Sequence, residues 1–444
     1  MPELPEQLLN SLEALHHFNR EAFCAAHERG ERETSIRLNP FKRTEPTYDL
    51  VDMVPWCTDG FYLRERPVFT LDPLFHAGCY YVQEPGSMFL GYALKHFLGD
   101  LSGKAVLDLC AAPGGKSTHL NSLIGPEGLL VSNEITRGRV PALVHNLGKW
   151  GTLNSVVTNS DPAAFAALGG LFDVMVADAP CSGSGLFRKQ PEAIAEWSEA
   201  NVMMCGRRQR QILGDALPAL KEGGLLFYST CSYSVEENED IVNWLVGSHG
   251  MKYLPIQADP AWNLADTGAG IRFYPDQARS EGFFCAVLLK TTDSPNSPRS
   301  RRHVSPASKA QQTIASPLFS HEQGRFGCIK NNLHFLTERV TEFIDLAADK
   351  LYLRKAGHYV GEIKGSDLVP SQEAAWSVHL SPGIPHLELD LENALRYLRK
   401  QPLAPPAGER GLHLVTFRNH GLGWAKMLPG RINNYLPAEL RILM

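Results

Sequence analysis

The sequence predicts an α/β protein built on a doubly wound, Rossmann-like sheet, and three observations carry that expectation. Between Gly103 and Lys290, apolar strand-like runs alternate with helical stretches. Such alternation marks βαβ units and a mostly parallel sheet covered by helices. The first run, "AVLDLC", opens into a small-residue loop and then a helix, the place where sheets of this kind take their ligands. The chain has 444 residues, 43% hydrophobic and 20% charged, which is globular composition and enough for two to four domains.

The elements follow in order. Leu4 to Arg29 reads as one amphipathic helix, with apolar positions at Leu8, Leu12, Leu15, Phe18 and Phe23. "SIRLNPFKR" is a short strand ended by Pro40. The runs "AVLDLC", "LLVSNE", "SVVTNS", "FDVMVADAP", "GGLLFYST" and "GFFCAVLLK" supply the sheet. Thr291 to Gln312 is rich in Ser, Pro and Arg and nearly free of large apolar residues, so it reads as a linker. Short strands and helices mix after it. The expected organisation is an extension over 1–102 packed on a domain over 103–290, a linker over 291–312, an intermediate region over 313–380 and a small α+β module over 381–444.

Composition narrows the function. No apolar run approaches a membrane span, and "MPELPEQLLNSLEALHHF" has no basic stretch leading into an apolar core. A cytoplasmic protein with no membrane partner is expected. The nine cysteines include no CxxC pair, which argues against a zinc site or a disulfide framework. The net charge of −5 means that a nucleic-acid partner needs local basic patches.

The first motif is "VLDLCAAPGGKSTHL". It has neither the GxxxxGK frame of a phosphate loop nor the GxGxxG of a dinucleotide fold. It suits a ligand with an amino-acid end, whose carboxylate can face backbone N–H groups at the start of a helix. The next strand ends at Glu134, placed to bond a ribose hydroxyl pair. The two after it end at Asp161 and Asp178, which otherwise cap the turns that follow.

Two cysteines stand apart. Cys181 follows "VMVADAP", and Cys231 follows "LLFYST". The strands before them should be neighbours, about 4.8 Å apart, so both thiols flank one crevice beyond the carboxyl ends. For Cys24, Cys57, Cys79, Cys110, Cys205, Cys285 and Cys328 a packing role suffices. A thiolate beside a methyl donor has a specific use. Adding sulfur to carbon 6 of a pyrimidine makes carbon 5 nucleophilic, and a second group then assists release of the sulfur. An acid such as Asp178 at the base's Watson–Crick edge favours the attack.

"DLCAAPGGKS", "DAPCSGSGLFRK" and "STCSYSVEENE" resemble, in order, the signature blocks of the Nop/Sun family of RNA 5-methylcytosine methyltransferases. "SIRLNPFK" and "YVQEPGSM" are similar to that family's N-terminal extension, and "RKAGHYVGEIKGSDLVPS" and "GLGWAKMLPGRINNYLPAELR" resemble its bacterial RsmF type. The resemblance implies a Rossmann-like methyltransferase domain, a PUA-like RNA-binding module at the C-terminal end, and methylation of cytosine carbon 5 in small-subunit (16S) ribosomal RNA. It implies Cys231 as nucleophile and Cys181 as the group aiding release. It also implies S-adenosylmethionine held by Cys110, Ala111, Ala112, Pro113, Gly114, Gly115 and Lys116, with Glu134, Asp161 and Asp178. Transfer RNA as substrate, an exocyclic-amine methyltransferase and a non-catalytic ribosome assembly factor are the alternatives. The second and third leave the cysteine pair unexplained.

The partner so implied is ribosomal RNA or the 30S subunit, met by a monomer. Basic clusters that offer phosphate contacts are "FKR" at Phe41, "FRK" at Phe187, "RRQR" at Arg207, "RSRR" in the linker and the stretch from Arg418. Arg188 and Lys189 follow Cys181 at the crevice rim and are expected on the RNA. Phe187 is expected to stack a base, with Tyr80, Tyr81 and Trp424 as further stacking candidates. Cofactor and RNA are expected on separate modules.

Overall fold

The computed structural model describes residues 3–294, 299–320 and 324–443. A ten-stranded sheet lies at its centre. The main strands are β1 (Ala105–Asp108), β2 (Leu129–Asn133), β3 (Ser155–Thr158), β4 (Phe172–Asp178), β5 (Leu220–Thr230), β6 (Phe283–Lys290) and β7 (Leu353–Ala356), in the order β6-β5-β4-β1-β2-β3-β7. β1 pairs in parallel with both β2 and β4, and β4 with β5. The winding therefore reverses at β1, and a crevice opens beyond the carboxyl ends of β1 and β4.

Both faces of the sheet are covered. Helices α1 (Gly115–Ile124) and α2 (Val140–Trp150) bury Leu120, Ile124, Leu143 and Leu147 on one face, against Val106 and Leu130. Helices α3 (Glu199–Ala216) and α4 (Glu239–Ser248) bury Leu213 and Leu245 on the other, against Leu107 and Val131. Neighbouring residues of β1 thus serve opposite cores, and each large apolar side chain contributes about 1.5–3 kcal/mol by leaving water. All six strand-like runs of the sequence became strands.

Three expectations change. The N-terminal helix is two helices, Glu6–Leu12 and Arg20–Arg29. The side chain of Asn19 accepts from the Ala22 N–H and starts the second, because a short polar residue competes for the backbone. The stretch read as a linker is folded from Val304 onward. Val304–Pro306 is a strand paired with Arg325–Ile329, and Ser308 with Gln311 forms a capping box for Lys309–Ala315.

The third change concerns the region after it. β7 adds to the central sheet antiparallel to β3, with Leu353 opposite Thr158. Helix α5 (Glu338–Ala347) sends Val340, Phe343 and Ile344 into the core that holds Leu107 and Met175. At the C-terminal end, a four-stranded sheet of His386–Glu388, Gly411–Phe417, His420–Leu428 and Arg431–Asn434 shares a core with the N-terminal region. In that core Val415 and Met427 lie with Ile36 and Leu74.

Candidate active site

The loop from Cys110 to Lys116 leaves β1 and enters α1. Its Ala111 N–H donates to Asn133 O of β2 at 2.8 Å, and Asn146 of α2 donates to Pro113 O at 2.9 Å. Gly114 sits at φ +112° before the first turn of α1, a conformation that an L side chain rarely adopts. Ala111 and Ala112 are buried, and burial pushes the Cys110 thiol up. Lys116 reaches over the crevice. Its ammonium pairs with Asp178 Oδ2 at 2.9 Å and lies 5.0 Å from the centroid of the Phe283 ring. Ser229 donates to the other oxygen of Asp178 at 2.7 Å.

This loop, Lys116 and Asp178 line a cleft of about 190 Å³, closed on the other side by Tyr81, Gln83, Glu84 and Ser87 of the N-terminal region. Asp108 lies at the bottom. It is fully buried, and one oxygen accepts from Ser117 at 2.6 Å while the other has no partner. Burial raises its carboxyl to about 7. Glu134 is also buried. It accepts from the Thr136 N–H at 2.8 Å, and its second oxygen makes no hydrogen bond, though Arg139 stands 3.4 Å away. Two buried carboxylate oxygens without hydrogen bonds suit a ligand that brings a cation and hydroxyl donors. S-adenosylmethionine carries both. Asp161 is exposed, and its carboxylate caps the next turn by accepting from the Ala163 N–H at 2.9 Å.

The two thiols meet. Cys181 Sγ and Cys231 Sγ are 2.9 Å apart, and both residues are half-buried. The hydrogen bond with Cys231, then burial, holds the Cys181 thiol far above its ordinary range, so Cys181 keeps its proton. The turns that carry them are tied twice. The Gly185 N–H donates to Cys231 O at 2.8 Å. A Cβ on Gly185 would stand 2.4 Å from Gly282 O, so only glycine fits there. Glu237, buried, accepts from the Ser182 N–H at 2.8 Å, from the Ser182 hydroxyl at 2.5 Å and from the Ser232 hydroxyl at 2.6 Å. Gln209 of α3 donates to it at 3.3 Å.

The expected RNA contacts fare differently. Phe187 is fully buried beside Leu8, Phe23 and Tyr233, so it is a core residue and not a stacking platform. Arg188 is buried too, bound to Glu281 at 3.0 Å, Ser280 O at 2.8 Å and Glu31 O at 3.0 Å. The N-terminal helices cover Phe187, and distant loop residues hold Arg188, neither of which local sequence reveals. Lys189 remains exposed. Trp424 and Tyr80 are buried, whereas Tyr81 keeps part of its ring accessible. Sequence reasoning missed Asp108 and Glu237, although both lie inside quoted motifs. A carboxylate that closes an apolar strand, and one six residues beyond Cys231, were the available signals.

Comparison with known proteins bears on this arrangement. Residues 96–289 match the family model of the 16S rRNA methyltransferases RsmB/F. Residues 4–85 match the N-terminal domain of the 16S rRNA methyltransferase RsmF, and 384–442 the RsmF PUA domain. The chain is 30% identical to the ribosomal RNA small subunit methyltransferase F of Shewanella loihica, over 99% of this chain and 96% of that one. It is 32% identical to the protein of that name from Salmonella arizonae, over 95% and 92%. A methyltransferase homolog from Pyrococcus horikoshii shares the fold at a TM-score of 0.53 and 28% identity, over 65% of this chain and all of that one. The NSun6 of Pyrococcus horikoshii, solved with SFG, is alike in fold at a TM-score of 0.54 and 20% identity, over 65% of this chain and 99% of that one.

Proposed function

The chain belongs to the RsmB/F family of 16S rRNA methyltransferases, with the N-terminal and PUA domains of the RsmF type, and on that premise we propose that it methylates carbon 5 of a cytosine in small-subunit ribosomal RNA. The observation that carries this reading is the pair of thiols 2.9 Å apart beside the cofactor cleft. S-adenosylmethionine supplies an electrophilic methyl group when bound. The chain's own residues do the rest. Glu134 bonds the ribose hydroxyls, Asp108 faces positive charge, and Asp161 lies at the adenine end. The Cys110–Lys116 loop receives the amino-acid end.

Cys231 adds to carbon 6 of the cytosine, and the electron pair moves onto the ring. Asp178, oriented by Lys116 and Ser229, meets the base's Watson–Crick edge. Carbon 5 takes the methyl group and then loses its proton to water, and the Cys231 sulfur leaves. Cys181, 2.9 Å from that sulfur, stabilises it as it departs. Lys189 lies on the RNA path. The family matches support an extension over 1–102, a catalytic region over 103–290 and an RNA-binding module over 381–444, joined by 291–312 and 313–380. We place the enzyme in the cytoplasm as a monomer acting on ribosomal RNA or the 30S subunit. Among the described residues no helix is long and apolar enough to cross a membrane. Mapping 5-methylcytosine in 16S rRNA with and without the gene tests the reading. Unchanged maps overturn it.

A further inference from the structure

Beyond Tyr81, on the side away from the cofactor cleft, lies a second cavity of about 400 Å³. It is formed where the N-terminal region meets α2. Its walls are aromatic, with Phe69 and Phe75 facing Tyr81. Two cations enter it. Lys149, in the last turn of α2, is only 5% exposed. Its ammonium rests 4.0 Å from the centroid of the Phe75 ring, and among the described residues it meets no carboxylate and donates no hydrogen bond. Arg66 stands exposed at the opening, 5.5 Å from the Phe69 ring, also without a carboxylate.

The surroundings do not neutralise these charges. Lys42, itself buried, lies behind and donates to Lys149 O at 2.7 Å and Ala77 O at 2.8 Å. Asp72, a carboxylate of this segment, is taken up by the Tyr80 hydroxyl at 2.7 Å, the Thr47 hydroxyl at 3.2 Å and the Leu74 N–H at 3.0 Å. Desolvation accordingly lowers the Lys149 amine to about 8. A largely buried lysine whose ammonium meets a ring face and no carboxylate is answered by a ligand that brings the opposite charge.

We propose that this cavity holds one nucleotide of the RNA strand, its phosphodiester between Lys149 and Arg66 and its base against the ring of Tyr81 or Phe75. An anion answers the two free cations. The π-face of a base answers the aromatic walls without demanding a sequence. Tyr81 lines both this cavity and the cofactor cleft, so the nucleotide held here lies beside the cofactor site. Asn146 lines the same cavity while holding Pro113 of the cofactor loop, which joins strand docking to the loop's position. The inference rests on the reading that the chain binds ribosomal RNA.

The test is fluorescence anisotropy of a labelled single-stranded 16S rRNA fragment on the full chain, read across a salt series. Lys149→Met and Arg66→Gln should each weaken binding severalfold and flatten the slope of log K against log salt by about 0.7, the share of one phosphate contact on a single strand. Affinity for S-adenosylmethionine should not change. Lys149→Met removes a desolvated charge and should melt no lower than wild type. If it fails to fold, Arg66→Gln, at the exposed edge, decides alone. Wild-type affinity and slope in the variants overturn the site while leaving the RNA reading intact. A wild type that binds no rRNA overturns both. If inorganic phosphate binds in a Lys149-dependent way while RNA affinity ignores both substitutions, the cavity serves a free anion and the proposal falls.

Discussion

Glu237 accepts both the backbone N–H and the hydroxyl of Ser182, the residue directly after Cys181. Its carboxylate also holds the hydroxyl of Ser232, the residue directly after Cys231. One buried acid thus fixes the relative position of the two thiols. Glu237→Ala leaves those donors without an acceptor, and urea unfolding should show a loss of about 1–3 kcal/mol. Glu237→Gln keeps the shape and should recover most stability. Both variants should form the covalent RNA adduct more slowly at unchanged cofactor affinity. An adduct rate equal to wild type in Glu237→Ala would show that the carboxylate does not position the pair.

Asp108 gives the cofactor site a pH dependence. Burial raises its folded carboxyl from 3.8 to about 7. A raised group contributes stability that is present below its unfolded value and is lost as pH rises through the folded one. The free enzyme should therefore lose stability relative to Asp108→Asn between about pH 4 and 7. Cofactor affinity should run the other way. A cation favours ionised Asp108, so binding releases a proton, and affinity should climb by up to about tenfold per unit below pH 7. Calorimetry in buffers of different ionisation heat measures that proton. A flat profile with no release removes Asp108 from the site.

Glu134→Ala should weaken S-adenosylmethionine binding by about 1–3 kcal/mol, because buried ribose hydroxyls lose their acceptor. Isothermal titration reads the difference. Wild-type affinity would leave Glu134 as no more than the acceptor for the Thr136 N–H.

Truncation separates the two C-terminal segments. Removing 384–442 should impair methylation of rRNA and lower the melting temperature, because Val415 and Met427 share a core with Ile36 and Leu74, while the central sheet stays whole. Removing everything after 290 should not be so mild. It strips β7 from the sheet edge and Val340, Phe343 and Ile344 from the catalytic core, so the melting temperature should fall sharply and cofactor binding with it. A stable, cofactor-binding 1–290 fragment would show that the sheet needs no edge cover.

The catalytic sheet was legible because its strands are buried on both faces and read as continuous apolar runs, as in "VMVADAP" and "GGLLFYST". The cysteine pair was legible because each follows such a run, and register alone then brings them together. Phe187 and Arg188 were not. Phe187 is buried by helices more than 150 residues earlier in the chain, and Arg188 is held by Glu31 and by Ser280 and Glu281, none of which local pattern contains. β7 was hidden for a similar reason. "LRKA" has no strand alternation of its own, and it is a strand because β3 offers it an open edge. Glu237 was not legible, since nothing local says that a carboxylate there reaches back to two serines.

The most direct test is a denaturing gel of the enzyme with its rRNA substrate and S-adenosylmethionine, run for Cys231→Ala, Cys181→Ala and the double variant. Attack by Cys231 and release aided by Cys181 predict no adduct and no methylation in Cys231→Ala. They predict a band in Cys181→Ala that survives denaturant and disappears with RNase, and the double variant should match Cys231→Ala because nothing unattached needs release. An adduct confined to Cys231→Ala would exchange the two roles. Normal turnover in both single variants would contradict the mechanism outright and leave the 2.9 Å contact between the thiols as packing.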